Sequence, residues 1–290
     1  MKKPNFFIIG APKCGTTSLA SWLAEHPEVF ISSIKEPDYF HTNQKIRSIE
    51  EYENLFAEAT DQHKAVGEAS VRYLYSDTAV PEILAYSSTE VKFIVMLRNP
   101  IEMAPSLHWQ RVFTLNENEP NFEKAWRLQN EDKSPRIDLP KNCYTPEINN
   151  YGPVCKLGEQ LINLFHRIDS RNCKLILLED IKNKPREVWL ELMDFLGIED
   201  DGRAEFEAKN KAKTVRSRLA QKTFRKLGRL KRSIGIQRSM GLLGSLAQWN
   251  RVERERPPLS DAMRQELRVY FKDDICKLES ILNRDLSHWQ

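Results

Sequence analysis

An α/β fold of three layers, a central and mostly parallel sheet flanked by helices, is predicted by three observations. Short apolar runs at residues 6–9, 29–31, 92–97 and 174–178 are set among turn residues and helices, the pattern of strands buried on both faces. Between them lie segments whose apolar residues recur at helical spacing, such as Leu19, Trp22 and Leu23. Strand alternating with helix implies crossover connections, which join parallel neighbours.

Each element follows in order. Phe6-Phe7-Ile8-Ile9 stops at Gly10, and a helix over 17–25 runs until His26-Pro27 ends it. The strand 29–31 leads into a polar and aromatic loop, Lys35-Glu36-Pro37-Asp38-Tyr39-Phe40. A helix is expected over 49–59, a strand end and turn over 66–70, and a short helix over 81–86. Residues 92–97 are the best strand in the chain. Asn99-Pro100-Ile101-Glu102 then opens a helix: Asn99 is a good N-cap, proline suits the first helical position, and Glu102 stands where a capping box needs it. The polar stretch 114–150 reads as an insertion, and helices over 157–168 and 187–196 flank the strand 174–178. One domain over 1–290 is expected, with a core at about 5–220, a basic helical segment at about 208–258 and a C-terminal helix at about 260–283.

Composition narrows the class. Apolar content of 40% and charged content of 29% are ordinary for a globular chain, and a net charge of +3 gives no reason to expect nucleic acid. No apolar stretch approaches the roughly 18 residues of a membrane span, and the first residues lack a leader pattern. The five cysteines are an odd set without metal-ligand spacing. They read as reduced thiols of a cytoplasmic protein, with a Cys143–Cys155 disulfide as the alternative.

Two strand-to-helix corners carry the chemistry. The first, Gly10-Ala11-Pro12-Lys13-Cys14-Gly15-Thr16-Thr17, stands where backbone N–H groups and a helix N-terminus make an anion site. A nucleoside triphosphatase loop would carry its lysine after the second glycine, where this chain has Thr16. Lys13 lies inside the loop instead, where it can meet the bridging oxygen of a diphosphate-like group. Lys13, Gly15, Thr16, Thr17 and Ser18 thus suit a 5′-phosphosulfate without a metal; the plain alternative is a tight turn with an exposed lysine. At the second corner Arg98 ends the strand 92–97, and Ser106 follows two turns into the next helix. An arginine at the carboxyl end of a parallel strand faces the ligand crevice, and its guanidinium fork matches phosphate. The alternative is a structural arginine paired with Glu102, and Pro105 can bend the helix under Ser106. Two such corners suit a ligand with anionic groups at both ends.

With these segments in place, the sequence resembles the sulfotransferase superfamily, a P-loop-like fold, and especially the branch holding bacterial sulfotransferases and heparan sulfate enzymes. Residues 9–19 are similar to the family's 5′-phosphosulfate loop, and Leu97-Arg98-Asn99-Pro100 through Ser106 to its 3′-phosphate motif. In the same order, 35–40 resembles a substrate-side loop, Gly67-Glu68-Ala69-Ser70 a turn between the two motifs, and 177–181 a late strand. The resemblance covers about 5–220, including Asn210 to Ser217, similar to a segment that closes over the nucleotide. It implies 3′-phosphoadenosine 5′-phosphosulfate (PAPS) as co-substrate, no metal, and donor contacts from Lys13, Cys14, Gly15, Thr16, Thr17, Ser18, Arg98, Ser106 and Arg216. It further implies Lys13 stabilising the leaving group, Glu36 as general base, and a hydroxyl or amine of a carbohydrate, lipid-linked or small-metabolite acceptor. Asp38 stands where some relatives carry histidine, and His41 and His108 are reserve bases.

From 208 to 252 there is no acidic residue while Lys and Arg recur throughout. Three readings stand: a solvated helix, a lid over an anionic acceptor, or peripheral contact with an anionic membrane. Two rival functions are carried forward. One is a P-loop nucleotide kinase, for which Leu175 to Asp180 would be a Walker B strand; the other is a catalytically inactive nucleotide-binding relative.

Overall fold

Five strands form one sheet in a computed structural model that describes residues 2–41, 46, 48–87, 89–132, 134–207, 213–215, 223, 251–253 and 257–290. They are β1 (Phe6–Gly10), β2 (Val29–Ile31), β3 (Ala65–Ala69), β4 (Lys92–Leu97) and β5 (Cys173–Leu177), in the order β2-β3-β1-β4-β5. Every pairing is parallel, so the sheet is wholly rather than mostly parallel. Phe6, Phe7, Ile8 and Ile9 are fully buried, which is why β1 shows no polar alternation. Gly67 faces Phe6 in register, and a Cβ there would sit 2.4 Å from the Phe6 carbonyl oxygen. The close approach of the two strands therefore requires glycine.

Helices fill the crossovers, α1 (Thr16–Leu23), α2 (Ile49–Glu53), α3 (Ala79–Tyr86), α4 (Pro100–Phe113), α5 (Phe122–Arg127), α6 (Tyr151–Cys155) and α7 (Leu157–Phe165), and α8 (Leu178–Asn183), α9 (Pro185–Leu196) and α10 (Asp261–Leu282) follow β5. α10 starts on Ser260, whose Oγ accepts from Met263 N at 3.1 Å, and packs on α7 and α4. Pro105 does not interrupt α4, so Ser106 keeps its helical placement.

Several expectations are adjusted. The helix expected over 49–59 divides into α2 and a 3-10 turn, Asn54–Phe56. The strand expected to reach Leu178 ends at Leu177, and α8 begins at once. The capping box at α4 is half made: Asn99 Oδ1 accepts from Ile101 N at 2.9 Å, while Glu102 turns to Arg98. The insertion 114–150 contains α5 and the 3-10 turn Pro146–Asn149. Of the basic segment expected to be helical over 208–258, Thr223 is helical and the ends carry an antiparallel pair, β6 (Lys213–Val215) with β7 (Arg251–Glu253). Thr214, Val215 and Val252 are β-branched, which favours strand over helix. Arg216 and the rest of the basic stretch lie outside the described residues, apart from Thr223. All five cysteines are free thiols, and Cys143 lies against Arg111 rather than Cys155.

The topology places the site. From β1 the chain crosses towards β2 on one side, and from β4 it crosses towards β5 on the other. β1 and β4 are adjacent, so a crevice opens beyond their carboxyl ends where the connections part. Ligands of open α/β sheets bind at such a switch point. Both corners singled out in the sequence lie there.

Candidate active site

The first corner is built by backbone geometry. Gly15 holds φ 93° before the first residue of α1, a conformation that costs glycine little. Lys13 also takes a positive φ, 67°, within the loop. Ser18 N donates to Gly15 O at 2.9 Å as α1 opens. Eight residues of α1 then present an N-terminus with its partial positive charge towards the loop. Cys14 is fully buried, its Sγ 3.5 Å from Pro12 O, and burial pushes its thiol up to about 12. Its side chain is a packing group, which leaves only its backbone to face a candidate anion site in the loop.

The second corner touches the first. Arg98 Nη1 donates to the Lys13 carbonyl oxygen at 3.2 Å, and Nη2 donates to Glu102 Oε2 at 2.8 Å. The Glu102 pair named as an alternative is thus present, but the glutamate side chain is 58% exposed against 15% for the arginine. Such an ion pair contributes about 0–1 kcal/mol and yields readily to another anion. Arg98 Nε has no hydrogen-bond partner among the described residues. The same holds for Ser106 Oγ, in a residue only 1% exposed. Buried polar atoms are nearly always bonded, and leaving one unmade costs about 1–3 kcal/mol. Beside Arg98 a cavity of about 170 Å³ opens between Leu178, Lys182 and His288. Leu178 ties this cavity to the loop of the first corner, since a Cβ on Gly15 would come 2.9 Å from its Cδ1.

The loop carrying Glu36 joins the same place through its neighbour. Lys35 Nζ donates to Thr17 Oγ1 at 2.6 Å and lies 3.6 Å from Glu36 Oε1. Lys13, Thr17, Glu36 and Arg98 therefore belong to one neighbourhood. Asp38 is elsewhere: fully buried, it forms an ion pair with Arg72, whose guanidinium stacks 4.9 Å over the Tyr144 ring. Lys35 and Arg72 were not singled out from sequence. Their partners lie 18 and 34 residues away, and no local spacing announces such contacts.

The reserve histidines are engaged in the insertion. His41 Nε2 is 3.6 Å from Glu147 Oε1, and His108 Nε2 is 2.9 Å from Glu119 O between the Phe122 and Tyr151 rings. Burial pushes both imidazoles below their ordinary value. Glu179 and Asp180, offered as a Walker B strand, lie in α8 and hold Arg284 at 3.2 and 2.6 Å. No cluster of three or more metal-ligating side chains occurs among the described residues.

With the two corners joined, comparison with known proteins becomes decisive. The family profile described as the sulfotransferase domain matches residues 3–242. The chain belongs to the sulfotransferase family. The sulfotransferase of Alicyclobacillus acidocaldarius shares the fold with TM-score 0.73 and 24% identity, over 100% of this chain and 99% of that one. The membrane-associated sulfotransferase kil1 of Dictyostelium discoideum is 32% identical over 117 residues, 40% of this chain and 24% of that protein. Human carbohydrate sulfotransferase 15 is 24% identical over 253 residues, 67% of this chain and 44% of that protein. The chain thus spans less than half the length of these curated relatives. Among the described residues, no helix of this sulfotransferase is long and apolar enough to cross a membrane.

Proposed function

We propose that this sulfotransferase moves a sulfuryl group from PAPS to a hydroxyl or amine of a carbohydrate, lipid-linked or small-metabolite acceptor. The observation that carries the reading is the meeting of the corners: Arg98 reaches the Lys13 carbonyl while its Nε, and Ser106 Oγ in the helix that follows, stay unpartnered among the described residues. A phosphate brings acceptor oxygens to both atoms, and a nucleotide with a separate 3′-phosphate offers one anionic group to each corner. We assign the nucleoside to the cavity beside Arg98.

When bound, the donor supplies an activated S–O bond and a nucleotide leaving group. The protein's part is positioning and charge. Lys13, with the N-terminus of α1, stabilises the phosphate oxygen that keeps the electron pair of the breaking S–O bond. Glu36 takes the proton of the acceptor as its oxygen or nitrogen bonds to sulfur. Thr17, fixed by Lys35, and the backbone from Cys14 to Ser18 hold the 5′ group. Arg98 and Ser106 hold the 3′-phosphate, and Arg216 belongs to the same set by its motif. No observation favours a kinase, because Thr16 replaces the phosphate-loop lysine and Arg284 occupies the carboxylates that would face Mg²⁺. Calorimetric titration in EDTA tests the reading: adenosine 3′,5′-bisphosphate should bind at least about tenfold tighter than ADP. Binding of ATP only with Mg²⁺, and tighter than the bisphosphate, would overturn it.

A further inference from the structure

The loop that carries Glu36 has a backbone that needs external support. Glu36 holds φ 51° and Asp38 φ 52°, two left-handed L-residues within three positions. Such conformations are strained for L-residues and persist only where the surroundings over-determine them. The support comes from the turn after β3. Ser70 Oγ accepts from Asp38 N at 3.1 Å, and Tyr73 Oη accepts from Phe40 N at 3.3 Å. Arg72 pairs with the Asp38 carboxylate. Every one of these three partners stands within four residues of the others, so a single turn grips the loop at two amides and one side chain.

Behind the turn lies Glu68, fully buried at the end of β3. Its Oε2 accepts from Ser70 Oγ at 2.5 Å, and its Oε1 accepts from Tyr73 Oη at 3.0 Å and Tyr52 Oη at 2.9 Å. Both hydroxyls that accept loop amides thus donate to one carboxyl group. That arrangement sets their hydrogens away from the loop and leaves their lone pairs for Asp38 N and Phe40 N. Tyr52 adds a second role, stacking on Tyr39 of the loop with ring centroids 4.7 Å apart. The opposite end of the loop is tied to the phosphate corner through Lys35 and Thr17.

The geometry points to Glu68 as a positioning residue that, through Ser70 and Tyr73, holds the loop 35–40 in the left-handed shape that aims Glu36 at the transferring group. The inference rests on the reading of Glu36 as the base. A structural role alone would have Glu68 satisfy its own burial; here its partners hand the order on to a strained loop of the site. Misplacement of a reacting group by about 1 Å can cost on the order of a hundredfold in rate, so slackening this grip is felt in turnover.

Ser70→Ala removes the acceptor for Asp38 N, and Tyr73→Phe removes that for Phe40 N; the second variant serves where the first fails to fold. Hydrogen exchange of the peptide 35–40 is read in each, with affinity for adenosine 3′,5′-bisphosphate and PAPS turnover on a panel of p-nitrophenyl glycosides. We expect exchange at 35–40 to quicken about tenfold or more, kcat to fall about 10- to 100-fold, and bisphosphate affinity to stay within about twofold. In a Glu36→Gln background the same substitution should lower kcat little further, because the two residues act as a unit. Unchanged exchange, or an equal fall in both backgrounds, overturns the positioning role. Full activity of Glu36→Gln would instead sink the assignment of the base, while the exchange result still judges the grip on the loop.

Discussion

Arg136 and Arg98 are both largely buried arginines, and they differ in how completely their bonds are made. Arg136 is 1% exposed and pairs with Glu117, itself 0% exposed, at 2.9 Å. It also donates to Asp138 and to the Asn149 carbonyl. Glu117 in turn accepts from Tyr151 Oη, Asn149 Nδ2 and Glu119 N. Although burial opposes it, these donors together hold the Glu117 carboxyl below its ordinary value. Arg98 has one carbonyl, one exposed glutamate and an Nε without a partner among the described residues. A closed set of partners marks a group that holds the fold. An open set, at the switch point of a parallel sheet, supports the proposal that Arg98 is kept for a ligand.

The largest effect that can break this comparison is at Arg136. Arg136→Ala leaves the Glu117 carboxylate buried without its cation, so we expect a loss of about 3–5 kcal/mol in urea unfolding. Arg98→Ala should cost stability little by the same measure, because its exposed partner returns to water. Equal losses would erase the distinction. Next, Lys13→Ala should lower PAPS turnover about 10²- to 10³-fold, as removal of one transition-state donor does, with unfolding unchanged. Smaller is the expected pH effect at Glu68. Burial pushes this carboxyl up to about 7, against three donors that pull it down. A raised acid binds its proton more tightly in the native state, so its contribution is full below the unfolded pKa and is lost as pH rises through about 7. Glu68→Gln cannot ionise, so its melting temperature relative to the parent should climb from pH 5 to pH 8; a flat difference would place the native titration elsewhere. Smallest of all, Ser106→Ala should leave stability unchanged or raise it by up to about 1 kcal/mol, since Oγ gives up no bond among the described residues and a buried unbonded hydroxyl is removed.

What could be read from sequence was what is local. The first corner is contiguous, Gly10 to Ser18, so the spacing of its glycines, lysine and hydroxyls could be read without any knowledge of distant contacts. Arg98 and Ser106 share one strand–helix junction, and the apolar run before it announced the strand. Contacts between distant segments were not legible. The tie from Lys35 to Thr17, the Arg72–Asp38 pair and the grip of Ser70 on Asp38 span 18, 34 and 32 residues. They depend on β2 and β3 lying side by side, which no periodicity encodes. Propensity also lost to context at α8, where a run that reads as a longer strand turns helical after Leu177. At the ends of the basic stretch, the β-branched residues 214, 215 and 252 lie in strands.

The central claim is that the unfinished bonds of Arg98 belong to a 3′-phosphate. Calorimetric titration of the parent and Arg98→Ala with adenosine 3′,5′-bisphosphate and with AMP, which lacks that phosphate, tests it most directly. We expect the substitution to weaken the bisphosphate about 10- to 100-fold, the worth of a charged hydrogen bond, and to leave AMP within about twofold. An equal loss for both nucleotides, or none for either, would contradict the account.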